Sequence, residues 1–178
     1  MIINETRFLL GLASLIMLAA CYPDSSLQEQ SVNSPKSSLS PKLETLHTSS
    51  QCGSSSVTTQ WISSQQQLEN LLQATQRMMI SASPQQAPKV DFTQYGVLMV
   101  SMGQQRTGGY SIRLTREDLP INSGSAEVEV QWQEPESGMI LTQAITHPCI
   151  FIKVPRGEYQ LVRVVDQEKK LRAEISVN

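Results

Sequence analysis

The amino-acid sequence predicts a mainly β domain of the α+β class, an antiparallel β sheet or sandwich with one amphipathic helix near its start. Two observations lead to this prediction. Apolar and polar side chains alternate along residues 127–132, as in a half-buried strand, and similar short segments follow one another from residue 95 to residue 177. Leucines at helical spacing lie before these segments, between residues 64 and 80.

The first predicted elements are a strand and the helix. Residues 57–62 are rich in β-branched and aromatic side chains and predict a strand. The leucine spacing predicts one amphipathic helix over residues 64–80. Either Ser63 or Ser64 can cap this helix, and Ser63 with Gln66 fits a capping box.

Strands are predicted for the rest of the domain. Residues 95–102 form a near-continuous apolar run, which is typical of a central strand. Further strands are predicted at residues 110–114, 127–132, 150–154, 159–165 and 171–177. The last two should form a hairpin around the polar residues 167–170.

The N-terminus has the features of a bacterial lipoprotein signal. Residues 8–20 are a continuous apolar run that suits the h-region of a signal peptide and is short for a membrane span. The run leads into Leu-Ala-Ala-Cys ending at Cys21, which resembles the lipobox of bacterial lipoproteins. The resemblance implies that residues 1–20 are a cleaved signal peptide and that Cys21 carries diacylglyceryl and fatty-acyl chains. Two or more chains anchor a protein stably, whereas one chain binds reversibly.

The residue after Cys21 bears on the location. In Gram-negative bacteria, Asp at this position marks retention in the inner membrane, and this chain has Tyr22 instead. We therefore expect a protein of the cell envelope that is anchored to the outer membrane in a Gram-negative host.

A tether is predicted between the lipid and the domain. Residues 21–50 are rich in Ser, Pro and Gln and have no apolar periodicity, so they predict a disordered segment. A flexible coil of this kind reaches about 30 Å. The folded domain is then expected to cover residues 51–178.

Composition and motifs argue against several classes of function. The net charge is −2 and no basic run occurs, so no nucleic-acid partner is expected. A metal site at His147 and Cys149 would need two further ligands, and the spacing fits no zinc pattern. The sequence contains no nucleophile elbow, no zinc-protease motif and no phosphate-binding loop. We predict no cofactor, no metal, no catalytic residue and hence no enzyme.

The remaining cysteines form an even pair. With Cys21 assigned to lipid, Cys52 and Cys149 are a candidate disulfide, because an exported compartment permits oxidation. The alternative is two free thiols, since the sequence does not give the distance between them.

A candidate partner-binding loop lies between two predicted strands. It comprises Arg106, Thr107, Gly108, Gly109 and Tyr110. Arg and Tyr are enriched at binding hot spots, and loops carry function more often than the elements they connect. The alternative is a plain hairpin turn made by the two glycines, with Tyr110 packed on the sheet.

Several segments together resemble the C-terminal domain of the PrcB family of protease-complex subunits. The similar segments are residues 89–92, 95–100, 103, 107–112, 135–139 and 146–149. The resemblance covers about residues 56–166, and Thr-Gly-Gly-Tyr is its most specific part. It implies an exported or lipid-modified, non-catalytic protein that supports a protease.

A second family shares the same loop motif. Thr107-Gly108-Gly109-Tyr110 also resembles the Thr-Thr-Gly-Tyr loop of chagasin-type cysteine-protease inhibitors. Two further loops of those inhibitors are not evident in this sequence. We therefore predict a lipid-anchored accessory or protein-binding module for another envelope protein, such as a protease. The alternatives are a chagasin-like inhibitor using Arg106–Tyr110 and a structural envelope lipoprotein.

Overall fold

Nine strands and one helix occur in the part of the chain that this computed structural model describes, residues 42–78 and 86–177. All of these residues belong to one unit, residues 38–178. The predicted signal peptide, Cys21 and the tether up to residue 41 lie outside the described residues. No helix within the described residues is long and apolar enough to cross a membrane.

The elements follow one another in the order expected for one early helix and many strands. Their bounds are β1 Glu44–Ser49, β2 Thr58–Ile62, α1 Gln65–Arg77, β3 Tyr95–Ser101, β4 Ser111–Leu114, β5 Ile121–Asn122, β6 Ser125–Gln133, β7 Cys149–Pro155, β8 Leu161–Val165 and β9 Leu171–Ser176. The structure confirms the predicted fold class.

The strands form two sheets. The first has the order β1-β7-β3-β2, and all of its neighbours are antiparallel. The second has the order β4-β6-β8-β9, with β5 paired to the same edge of β6 as β4. Its β6 and β8 are parallel, which is the one departure from the antiparallel pairing that the sequence predicts. β8 and β9 form the expected C-terminal hairpin.

The main core lies between the two sheets. β6 shows why: Val128, Val130 and Trp132 are buried, while the residues between them are half-buried and polar. Their partners come from both sheets and from the segments next to the strands: Leu43, Leu98, Val100, Met102, Ile112, Ala126, Ile150, Ile152, Val154, Tyr159, Val162 and Val164. Period-two alternation on facing strands produces this arrangement.

The helix covers the outer face of the first sheet. Leu68 and Leu72 of α1 pack with Val97, Met99 and Phe151 in a second core. β3 and β7 are therefore buried on both faces, which explains their near-continuous apolar sequences. The molecule has three layers: helix, first sheet and second sheet.

The structure corrects the details of the helix. Ser64 is the N-cap, and its hydroxyl accepts a hydrogen bond from the Gln67 N–H at 3.3 Å. The side chain of Gln67 in turn accepts from the Ser63 N–H at 3.1 Å. The capping pair is therefore shifted by one residue from the predicted Ser63 and Gln66. The helix ends at Arg77, with Met78 as its C-cap, rather than at residue 80.

The predicted tether ends earlier than residue 50. Residues Glu44–Ser49 form β1, which pairs with the edge of β7, so the prediction of disorder is wrong there. Leu43 is buried in the main core and Leu46 packs on the second core, because residues three positions apart in an extended chain point to opposite faces. Burial of these leucines offsets the entropy of ordering a polar segment.

His47 of β1 is part of the packing rather than a linker residue. Its ring meets the edge of Phe151 with centroids 5.9 Å apart. Burial lowers the pKa of His47, because the charged ring would lose hydration. The neutral ring therefore suits this position.

Asp166 organises the turn between β8 and β9. The buried carboxylate accepts from the backbone N–H groups of Glu168 and Lys170, both at 2.9 Å, and from Arg172 Nε at 2.7 Å. Burial alone would raise the pKa of Asp166, but these hydrogen bonds outweigh burial and hold the pKa below its ordinary value.

Candidate functional site

Three loops meet at one end of the sandwich. β1, β3 and β6 end there, and β2, β4 and β7 begin there. The connecting segments are residues 50–57, 102–110 and 134–148, which we call the loop end. The second segment contains all of the predicted partner-binding residues.

The 102–110 segment is not a hairpin turn. β3 belongs to the first sheet and β4 to the second, so the segment crosses from one sheet to the other. The alternative of a plain Gly-Gly hairpin is therefore wrong, because β3 and β4 do not pair.

Hydrogen bonds join the 102–110 segment to the 134–148 segment. Gln105 and Thr146 form an antiparallel bridge with N···O distances of 2.8 and 2.9 Å. The Gly108 N–H donates to the Thr142 carbonyl at 2.9 Å, and the Thr146 hydroxyl donates to the Thr107 carbonyl at 3.1 Å. The two segments are therefore fixed relative to each other over several residues.

The 50–57 segment is held against the same long loop. A disulfide joins Cys52 to Cys149, with Cα atoms 6.0 Å apart. This is the pairing that the sequence predicts. The Cys52 N–H donates to the His147 carbonyl at 2.9 Å, the His147 N–H to the Ser50 carbonyl at 2.7 Å, and Gln51 Nε2 to the Ile145 carbonyl at 3.0 Å. A covalent bond and three hydrogen bonds thus connect these loops.

Two glycines allow the loops to approach closely. Gly103 has φ +74°, and a Cβ there would lie 2.6 Å from the backbone carbonyl carbon of Ser56. Gly109 has φ +92°, and a Cβ there would lie 3.1 Å from both Leu141 and Pro135. Residues that carry a side chain rarely adopt such φ values, so both positions require glycine.

The predicted binding residues have different environments. Arg106 and Gly109 are exposed, whereas Thr107 and Gly108 are half-buried and hydrogen bonded. Tyr110 is half-buried against the main core. Within this segment, Arg106 is therefore the side chain best placed to contact a partner.

The sequence reasoning missed the apolar surface of the loop end. Of the seven large apolar side chains that are exposed in the described part of the chain, four lie here: Val57, Met139, Ile140 and Ile145. Ile140 is 102% exposed, Met139 is 57% exposed and Ile145 is 56% exposed. The signal was present as Gly138 followed by three apolar residues outside any predicted strand.

These apolar side chains project from a well-supported loop. The Met139 N–H closes a turn to the Glu136 carbonyl at 3.4 Å, and Gly138 has φ +88°. On the other side, Leu141 packs near Gly109 and the Thr142 carbonyl is hydrogen bonded. Ile140 is therefore held in solvent by ordered residues on both sides.

Cys149, which lies two residues after His147, is not a free thiol. Cys149 is bonded to Cys52 and is only 1% exposed. The neighbouring His147 has its Nδ1 3.2 Å from the side-chain oxygen of Gln51. No group of three or more His, Cys, Asp or Glu suited to a metal ion occurs among the residues that the structure describes.

Comparison with known proteins bears on the same region. No curated protein and no solved structure matches the chain. The family model described as PrcB C-terminal matches residues 97–155, which run from β3 to β7 and include two of the three loops. The resemblance predicted from the sequence is thus confirmed for this segment: residues 97–155 carry the pattern of the PrcB C-terminal family.

Proposed function

We propose that this protein is a lipid-anchored, non-catalytic module of the cell envelope that binds a partner protein through its loop end. The observation that carries the proposal is the exposure of Met139, Ile140 and Ile145 on a loop fixed by hydrogen bonds and a nearby disulfide. The match to the PrcB C-terminal family supports an accessory role in a protease-related complex.

The order of the 134–148 segment supports binding of a partner by its exposed apolar side chains. Exposed apolar side chains gathered in one place are a frequent feature of interaction sites. Because the hydrogen bonds to residues 105–108 already order this loop, little conformational entropy remains to be lost on binding. Arg106 adds an exposed guanidinium on the adjoining segment, a group favoured at hot spots.

The state of Cys149 supports a non-catalytic role. A sulfur in a disulfide is not available as a thiolate nucleophile, and this one is also buried. Its neighbour His147 is hydrogen bonded within the loop end and serves the packing of residues 50–57.

Partner capture with matched variants tests the proposal. The full chain, tagged at its C-terminus, is recovered from detergent-solubilised envelope, and its partner is identified and quantified by mass spectrometry. Ile140→Asp should lower recovery by about 30-fold if Ile140 is a hot spot worth about 2 kcal/mol. Ile121→Asp is the control, because Ile121 is 46% exposed on the β5–β6 hairpin, away from the loop end.

Two outcomes would contradict the proposal. Equal recovery with Ile140→Asp and Ile121→Asp would show that the loop end does not bind the partner. Stoichiometric loss of a cysteine protease's activity on adding the protein would replace the accessory role with inhibition. An accessory subunit should leave the activity of its protease intact.

The lipid anchor rests on the sequence around Cys21 and has its own test. Cys21→Ala should accumulate as unprocessed precursor and should lack radiolabelled fatty acid. The wild-type protein should sediment with outer-membrane fractions of a Gram-negative host. Labelled lipid on the Cys21→Ala variant would overturn the assignment of this residue.

A further inference from the structure

Along one side of the sandwich, edge strand β1 of the first sheet lies beside edge strand β4 of the second, and we call the groove between them the seam. β1 has β7 as its only strand neighbour in the first sheet, and β4 has β6 in the second, within the described residues. The free edges of β1 and β4 face each other along the side of the sandwich. The opposite edges, β2 and β9, also lie against each other.

The seam is closed at the end far from the loops. The Leu43 N–H donates to the Glu117 carbonyl at 2.6 Å, and the side chains of Lys42 and Glu117 form an ion pair at 2.8 Å. Towards the loop end, no backbone hydrogen bond joins described residues 44–49 to residues 111–114. A cavity of about 300 Å³ lies there, with Thr48 on one wall and Tyr110 and Arg113 on the other.

The alternation of hydrogen bonds identifies which backbone groups of β4 face the seam. The Thr115 N–H donates to the Glu129 carbonyl at 3.2 Å. Hydrogen-bonded pairs alternate along an antiparallel ladder, so every second residue of this segment, namely 111, 113 and 115, is bonded to β6. Ile112 lies opposite Trp132, but the two do not share backbone hydrogen bonds, because the N–H and the carbonyl of Trp132 are both bonded to the Gln167 side chain on the other side of β6. The N–H and carbonyl groups of Ile112 and Leu114 therefore point into the seam.

The seam also contains an unpaired positive charge. Arg113 lies on the outer face of β4, is exposed and has no ion pair within the described chain. Other cations near the seam are neutralised: Lys153 by Glu44 and Arg116 by Asp118. A ligand that brings a carboxylate beside Arg113 would satisfy this charge.

We propose that the seam binds an extended segment of a partner protein, which adds to β4 as a further strand and places a carboxylate opposite Arg113. Free backbone groups at a sheet edge form their hydrogen bonds with an extended chain, which is the basis of strand addition. Residues directly opposite in a strand pair point to the same face. The bound segment should therefore have the sequence apolar-acidic-apolar, with its acidic residue opposite Arg113 and its apolar side chains beside Ile112 and Leu114.

This surface is distinct from the apolar loop end and can be tested separately. The probe is a display library of random decapeptides, selected on the full chain in detergent micelles. Selected peptides should share an acidic residue between two apolar residues and should contain no proline at those three positions. When a selected peptide is bound, the amides of Ile112 and Leu114 should exchange with solvent at least about tenfold more slowly, because they become hydrogen bonded.

Charge reversal gives the sharper comparison. Arg113→Glu should weaken binding of the selected acidic peptide by about tenfold or more, and selection on this variant should yield Lys or Arg at the central position. Lys170→Glu is the matched control, because Lys170 is exposed in the β8–β9 turn, has no ion pair within the described residues and does not line this cavity. Its affinity for the acidic peptide should stay within about twofold of the wild-type value.

Three results would overturn the proposal: no enriched peptide, an unchanged charge preference with Arg113→Glu, or unchanged exchange at Ile112 and Leu114. None of them concerns Ile140, so they leave the proposal for the loop end standing. Conversely, failure of the Ile140→Asp test leaves the seam proposal unaffected.

Discussion

The double variant Cys52→Ala/Cys149→Ala should lose several kcal/mol of stability while keeping its fold. The bond closes a loop with a sequence separation of 97 residues. Cross-linking a loop of about 100 residues stabilises a protein by about 4.7 kcal/mol in the chain-entropy model, because it restricts the unfolded chain. The folded loop end keeps the hydrogen bonds between residues 50–52 and His147 in either case. We therefore expect a loss of about 4–5 kcal/mol.

Urea unfolding followed by tryptophan fluorescence measures this loss, since both tryptophans, Trp61 and Trp132, lie in the domain. With an unfolding slope of about 1.5–2 kcal/mol/M, the midpoint should fall by about 2–3 M. The control is the wild-type protein with reductant, which should shift to the midpoint of the variant, while the variant itself should not respond. Equal midpoints for the oxidised wild type and the variant would refute the stabilising role of the bond.

Three further predictions concern single side chains. Asp166→Ala should lower the free energy of unfolding by about 2–3 kcal/mol, because the hydrogen bonds of the carboxylate in the β8–β9 turn are lost. Since the pKa of Asp166 is lowered in the fold, this contribution is present above about pH 4 and is lost as the pH falls below that value. Acid unfolding of the wild type and the variant measures this difference. Gly96→Ala should destabilise by about 1–3 kcal/mol in thermal unfolding, because the new Cβ would lie 2.0 Å from the Trp61 ring, and Trp61→Leu in the same chain should recover part of the loss. The pKa of His47 is lowered in the fold, so the unfolded chain is protonated at a higher pH than the folded protein. The free energy of unfolding should therefore fall as the pH drops from about 6.5 towards the folded pKa. His47→Gln should flatten the dependence of stability on pH between about pH 7 and 6. A slope retained in His47→Gln would assign that pH dependence to another group.

The sequence contained enough information for elements whose pattern is local. The alternation of Val128, Val130 and Trp132 is the direct consequence of a strand with one buried face, and it placed β6 correctly. The apolar run of β3 likewise indicated burial on both faces. In both cases each residue's burial follows from its near neighbours along the chain.

Features that depend on distant segments were not predictable in this way. β1 is a polar segment whose order comes from pairing with β7, a hundred or more residues away in the sequence. The parallel pairing of β6 with β8 depends on the path of the chain between them. The hydrophobicity of Ile140 does not by itself indicate exposure; the indication in the sequence was its position after Gly138 and outside any predicted strand.

The position of β1 has a mechanical consequence. A lipid on Cys21 and a partner held at the loop end would load the domain between Lys42, which is ion paired with Glu117, and the far end of β1 at Ser49. Tension then runs along the strand, and the hydrogen bonds to β7, which lie across it, share the load. If β1 is pulled free, the cross-link at Cys52 stops further extension after ten residues, about 35 Å of chain. The domain would thus lengthen under tension while the other strands of both sheets and the loop end stay folded.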